Sequence, residues 1–168
     1  LLVIIDANLV GAELKWCVDR LNALCSGTAL HGLALLNLAN CHRTSGESIM
    51  SLIVHADIRK DLGHPEDIVG LSRLAAARIY VTLNDLEPAM RHFWSARQSF
   101  QRNKMSSESL VASLEWLDLA LEEVSDSAPD MENRLANAAP RDTGEATWIP
   151  SNPKDVKLIV EELFPILT

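Results

Sequence analysis

Residues 77–96 read Ala-Arg-Ile-Tyr-Val-Thr-Leu-Asn-Asp-Leu-Glu-Pro-Ala-Met-Arg-His-Phe-Trp-Ser-Ala. Two helices and the turn between them are legible in this one stretch. Ala77 and Tyr80 are three positions apart, so they share a face of the first helix. Asn84-Asp85 is expected to break that helix and cap the next, because short polar side chains accept hydrogen bonds from a helix's first N–H groups. Pro88 suits the first turn of the second helix, where its missing N–H costs little. Ala89, Phe93 and Ala96 then fall at i, i+4 and i+7 on one face. Small and large residues alternate, which lets two antiparallel helices approach closely and interlock.

The same period extends on both sides. Residues 10–24 place Leu14, Cys17, Val18, Leu21 and Leu24 at helical spacing, and Gly27 in Ser26-Gly27-Thr28 is the expected stop. Residues 30–41 are apolar around most of the circumference (Leu33, Leu35, Leu36, Leu38, Ala39), which predicts a central helix covered on more than one side. After a turn at Ser45-Gly46, residues 48–60 are expected to form a helix with Ile49, Leu52, Ile53 and Ala56 on one face. Residues 61–65 read as a loop. The next helix starts at Asp67 or a neighbour and carries Leu71, Leu74, Ala75, Ala77, Ile79, Val81 and Leu83. Ser106 or Ser107 followed by Glu108 looks like a cap, ahead of Leu110, Ala112, Leu114, Trp116, Leu117, Ala120 and Leu121.

From residue 125 to 153 the pattern breaks. Pro129, Pro140, Pro150 and Pro153 sit among many acids, which reads as a linker with a short helix near 131–138. Val156, Ile159, Val160, Leu163 and Phe164 then make a terminal amphipathic helix, limited by Pro165. Its apolar stripe is expected to dock near 110–121 and cap the exposed end. The expected organisation is therefore a helical domain over 1–124, an acidic linker over 125–153 and an amphipathic helix over 154–168. In all, about seven helices and no sheet are expected.

Composition agrees with closely packed helices. Hydrophobic residues are 48% and aromatics 5% of the 168 residues, so the core must be aliphatic and alanine-rich. The net charge of -8 is uneven. Residues 106–145 hold ten acids against Arg134 and Arg141, which is the whole imbalance. Residues 73–104 hold six bases against Asp85 and Glu87. That basic block is read as the solvated outer faces of helices, with attraction of an acidic partner as the alternative. Overall acidity and the lack of interleaved aromatics argue against nucleic acid. Cys17, Cys25 and Cys41 are an odd number without a disulfide framework, and buried free thiols in a reducing, cytoplasmic setting are expected. The opening apolar run ends at Asp6, too short for a signal sequence, and no run reaches membrane-spanning length. A chain that starts at Leu1 is read as a fragment or a processed product.

The hairpin of 77–96 resembles a tetratricopeptide repeat. Leu38 and Cys41 stand where Ala77 and Tyr80 stand one hairpin later, an offset of 39 residues. Ile49, Ile53 and Ala56 match Ala89, Phe93 and Ala96 in spacing. Trp116 sits near the aromatic point of a third first-helix. The resemblance is strongest at 77–96 and weaker over 10–124. It implies an all-α, right-handed superhelix of antiparallel helix pairs with a C-terminal capping helix. It also implies a protein-interaction scaffold that holds a peptide or helix in a concave groove lined by the first helix of each pair. Carried over by position, that lining would be Leu35, Ala39, His42 and Arg43, then Leu71, Leu74, Arg78, Val81 and Thr82, then Leu110, Leu114, Leu117 and Asp118. Arg78 and Arg43 would fix an acidic group there. The Lys and Asn pair with which some members of the family grip a C-terminal carboxylate is absent, because Leu74 and Arg78 occupy its positions. The other reading is a self-contained regulatory or structural domain whose groove or end is filled by its own terminal helix.

Chemistry is not signalled. Cys41, His42, His55 and Asp57 are metal-ligating types, but Cys41 and His42 point ~100° apart on a helix. There is no Cys-x-x-Cys, no Gly-x-Ser-x-Gly elbow and no Gly-rich phosphate loop. His31, His64 and His92 are isolated in sequence and read as surface residues. Neither a metal, a cofactor nor a catalytic activity is expected, and the expected partner is another protein or peptide.

Overall fold

The computed structural model describes residues 7–124. Among them are six α-helices and no strand: α1 (Ala7–Cys25), α2 (Ala29–Thr44), α3 (Ser48–Ala56), α4 (Glu66–Thr82), α5 (Leu86–Arg102) and α6 (Ser106–Val124). A 3-10 turn at Lys60–Leu62 lies between α3 and α4. The linker and the amphipathic terminal helix expected from 125 onward lie outside the described residues. Each helix packs on its neighbour in sequence, and α2 also reaches α4.

The connections are short because each has a residue suited to its backbone. Gly27 ends α1 at φ +77°, and a Cβ there would stand 1.9 Å from the Leu62 carbonyl oxygen, so only glycine fits. Thr28 then caps α2, its hydroxyl accepting from the His31 N–H at 3.3 Å. Asn84 stops α4 in the left-handed region at φ 57°. Asp85 occupies the position before α5 but makes no side-chain cap hydrogen bond, so the expected cap is a correction: the break is made by Asn84 alone. Between α5 and α6, Lys104 takes φ 58°, and the Met105 carbonyl accepts from the Ser109 N–H. The start of α6 therefore falls one residue ahead of the expected serine cap.

Two apolar clusters share α4. Val18, Leu35, Leu38, Ala39, Val54 and Ile58 meet Ile68 and Val69 at its beginning. Leu74 and Ala77, further along, meet Ala89, Met90, Phe93, Trp94, Ala96 and Phe100 of α5 and Ala112, Trp116, Leu119 and Ala120 of α6. Ala77, Ala89 and Ala96 have no exposed surface, as the small-and-large alternation requires. The Trp94 and Trp116 ring centroids are 5.1 Å apart, a tilted pair joining α5 to α6.

The α3 region differs from expectation. The helix stops at Ala56, not at residue 60, because Ile58 turns fully into the core. Its inner face is Ser51, Val54 and His55, while Ile49, Ile53 and Ala56 are exposed. The Ser51 hydroxyl donates to the Ala39 carbonyl at 2.7 Å, and His55 Nδ1 is 3.0 Å from Ser72 Oγ. These hydrogen bonds offset the desolvation of polar groups, so the more polar face goes inward. The match of Ile49, Ile53 and Ala56 to Ala89, Phe93 and Ala96 therefore holds in spacing and fails in burial. The thiols also depart from expectation: Cys17 is exposed and Cys25 and Cys41 are half-buried, all three free.

Candidate functional site

The residues expected to line a groove divide into three kinds. Leu35, Ala39 and Leu74 are core residues with less than a tenth of their surface exposed, so they support the helices and offer nothing to a ligand. Arg43, Leu71, Arg78, Val81, Thr82 and Asp118 are exposed, and His42, Leu110, Leu114 and Leu117 are half-buried. Leu110, Leu114 and Leu117 flank the α4–α6 cluster rather than an open channel. Arg78 does not wait for an external acid. Its Nε donates to the Glu115 carboxylate oxygens at 3.2 and 3.0 Å, a forked pair linking α4 to α6. That hydrogen bonding holds the Arg78 guanidinium above its ordinary pKa. His42 is likewise occupied, 2.7 Å from Glu47.

Another collection of polar side chains lies where α3 and α5 meet α4. A cavity of about 430 Å³ is walled by Leu52, His55 and Ala56 of α3 and by Arg59 just after it. Arg73, Ala76 and Tyr80 of α4 and Pro88, Arg91 and His92 of α5 complete the wall. At ~100° per residue, Arg73, Ala76 and Tyr80 fall within ~60° of one another on α4. Leu71, Leu74, Arg78, Val81 and Thr82 centre roughly 160° away. The cavity therefore opens on the side of α4 opposite the expected groove.

Its electrostatics are one-sided. Among the described residues, three guanidiniums and two imidazoles reach the wall, and no carboxylate does. Two of these arginines pair with acids outside it: Asp61 pairs with Arg59, and Glu87, one turn before Arg91, pairs with Arg91. Arg73 is 3% exposed, so it departs from the reading of residues 73–104 as solvated outer faces, which Arg78, Arg102 and Lys104 follow. Two further bases of that block are also engaged. Arg97 lies over the Trp94 ring at 4.7 Å and donates to Ser113, and Arg102 reaches Glu66 at 2.9 Å. His55 is 4% exposed, and burial, with His92 and Arg73 nearby, pushes its pKa down to about 4. Its Nδ1 has Ser72 as partner, and the Ser72 hydroxyl lies 3.3 Å from the His55 carbonyl. Tyr80 and His92 form a tilted ring pair with centroids 5.1 Å apart.

No family model, curated protein or solved structure matches the chain.

Two of the three histidines expected at the surface are instead in the interior. His31 and His64 are buried, with ring centroids 5.1 Å apart and His64 Nε2 3.0 Å from His31 Nδ1. They join the start of α2 to the segment before α4. They are separated by 33 positions, so only the fold brings them together. Among the described residues no three His, Cys, Asp or Glu side chains gather as a metal site would require. No helix of these residues is long and apolar enough to cross a membrane.

Proposed function

We propose that this chain is a protein-interaction module of the tetratricopeptide type, a right-handed superhelix of antiparallel helix pairs that holds a peptide or helix of another protein. The observation that carries this reading is the set of large apolar side chains left in water on α2, α4 and α6. Leu30 and Leu33 are 60% and 46% exposed, Leu71 and Val81 38% and 36%, and Val111 40%. Trp16 and Leu24 of α1 and Ile49, Met50 and Ile53 of α3 are exposed as well, and apolar side chains left in water on several helices fit a surface that meets a partner. Two further features support the pairing. Ala77, Ala89 and Ala96 share one buried cluster of α4 and α5, and Glu66, the first residue of α4, bridges to Arg102, the last of α5. The role is binding, without catalysis, and a cytoplasmic setting fits it.

Selection from a peptide library on the whole chain tests the proposal. Selected peptides should lose affinity for Leu71→Asp and Val81→Asp, while circular dichroism and thermal melting stay unchanged. Peptides indifferent to both substitutions would place binding elsewhere. If the terminal amphipathic segment competes with selected peptides in trans, the reading becomes a domain that fills its own groove.

A further inference from the structure

We propose that the outward face of α1 pairs with the same face of a second copy of this chain, as a two-fold dimer with the two α1 helices antiparallel. Leu14 and Val18 turn the other face of α1 onto the cluster shared with α2, α3 and α4. Trp16 is two residues from each of them, roughly 160° round the helix, and is 68% exposed. Glu13, Arg20 and Leu24 lie within ~80° of Trp16 and are exposed too, Leu24 at 70%. A stripe that leaves an aromatic and an aliphatic side chain in water gains free energy when a facing apolar surface covers it.

The charges on the stripe select a second copy. Glu13 stands three residues before Trp16 and Arg20 four after it. Seven residues put the two ~10 Å apart along the helix, too far to pair with each other. Two copies laid antiparallel about Trp16 bring each Glu13 to the Arg20 of the other. Such a patch is complementary to itself, which a two-fold interface requires. Each Leu24, eight residues past Trp16, then covers the first turn of the facing helix. Lys15 and Asp19 pair with each other at 3.1 Å, to one side of the stripe. The acids and bases of α1 (Glu13 and Asp19, Lys15 and Arg20) cancel, so the chain's net charge of -8 lies elsewhere. One helix pair buries less than the ~800 Å² per partner of a stable complex, so a dissociation constant of about 10–100 µM is expected.

Sedimentation velocity of the full chain from about 5 to 500 µM, either side of that constant, tests the proposal. The dimer should grow with concentration. Trp16→Glu should remove it without lowering the melting temperature of the monomer, since Trp16 is exposed. Glu13→Arg and Arg20→Glu should each weaken it by about tenfold, because two attractions become two repulsions. Mixing those two single variants should restore it, since each arginine of one then meets a glutamate of the other. Leu71→Asp and Val81→Asp, which test the peptide groove, should dimerise like the parent, so either reading can fail alone. A chain that stays monomeric throughout would overturn the proposal, and earlier melting of Trp16→Glu would then show the face covered by another part of the same chain. Dimers indifferent to Trp16→Glu, dimers lost in Leu71→Asp or Val81→Asp, or charge variants that do not recover on mixing would overturn it as well, by placing the contact on another face.

Discussion

Gly70 and Ala89 show how much of the fold rests on missing atoms. A Cβ on Gly70 would stand 2.8 Å from Phe100 Cε1 and 3.2 Å from Ser99 Cβ. Phe100 has no exposed surface, so its ring cannot swing away. Alanine would gain about 0.5–1 kcal/mol over glycine from helix propensity alone. Overpacking against a buried ring costs typically 1–3 kcal/mol, and that is the larger effect. Gly70→Ala should therefore lower stability in urea unfolding, and a gain would mean that α4 and α5 stand further apart than described. Ala89 makes the matching demand from α5. It has no exposed surface and shares a core cluster with Ala77. Ala89→Leu should cost about 1–3 kcal/mol. A variant that melts like the parent would contradict the register read from 77–96.

Among the elements, α3 and α5 mark what was legible. The period of α5 is written in Ala89, Phe93, Ala96 and Phe100, whose apolar side chains all go inward. There the apolar face and the buried face coincide, and hydropathy finds both. In α3 they do not. Ile53 is 53% exposed while Ser51 has no exposed surface, because Ser51 finds the Ala39 carbonyl 12 positions away and His55 finds Ser72 17 positions away. Partners so distant in sequence leave no local signal. The helices, their order and most of their ends could thus be read ahead of the structure, but not which side of α3 faces the core. The inversion has a measurable consequence. Ser51→Ala removes a buried hydrogen bond and should cost about 1 kcal/mol. Ile53→Ser, at an exposed position, should change stability by no more than about 0.5 kcal/mol. The opposite ranking in urea titrations would show that α3 presents its other face to the core.

Across the whole molecule, the basic block of residues 73–104 was visible as charge but not as a place. Arg73 and Arg91 come together with Arg59, His55 and His92 only because α3 and α5 both pack on α4. The same packing makes stability depend on pH. His55 is buried and neutral, faced by Arg73 and His92, and its pKa is pushed down to about 4 from the 6.5 of an unfolded chain. His31, desolvated and beside His64, moves down too, with Asp57 acting weakly the other way. For a histidine lowered in the folded state, the unfolded chain takes up a proton first as pH falls. Between pH 6.5 and 4 the unfolded state binds more protons, so stability drops with falling pH. Full depression of His55 corresponds to roughly 3 kcal/mol across that window, and His31 adds in the same direction. Below about 4 the folded state protonates as well, and the His55 contribution stops changing. Urea midpoints at pH 7 and pH 4.5 measure the effect. The parent should lose stability between them, and His55→Gln should lose distinctly less, whatever its absolute stability. An equal loss in both would mean that the buried imidazole beside Arg73 is not the group that acid reaches.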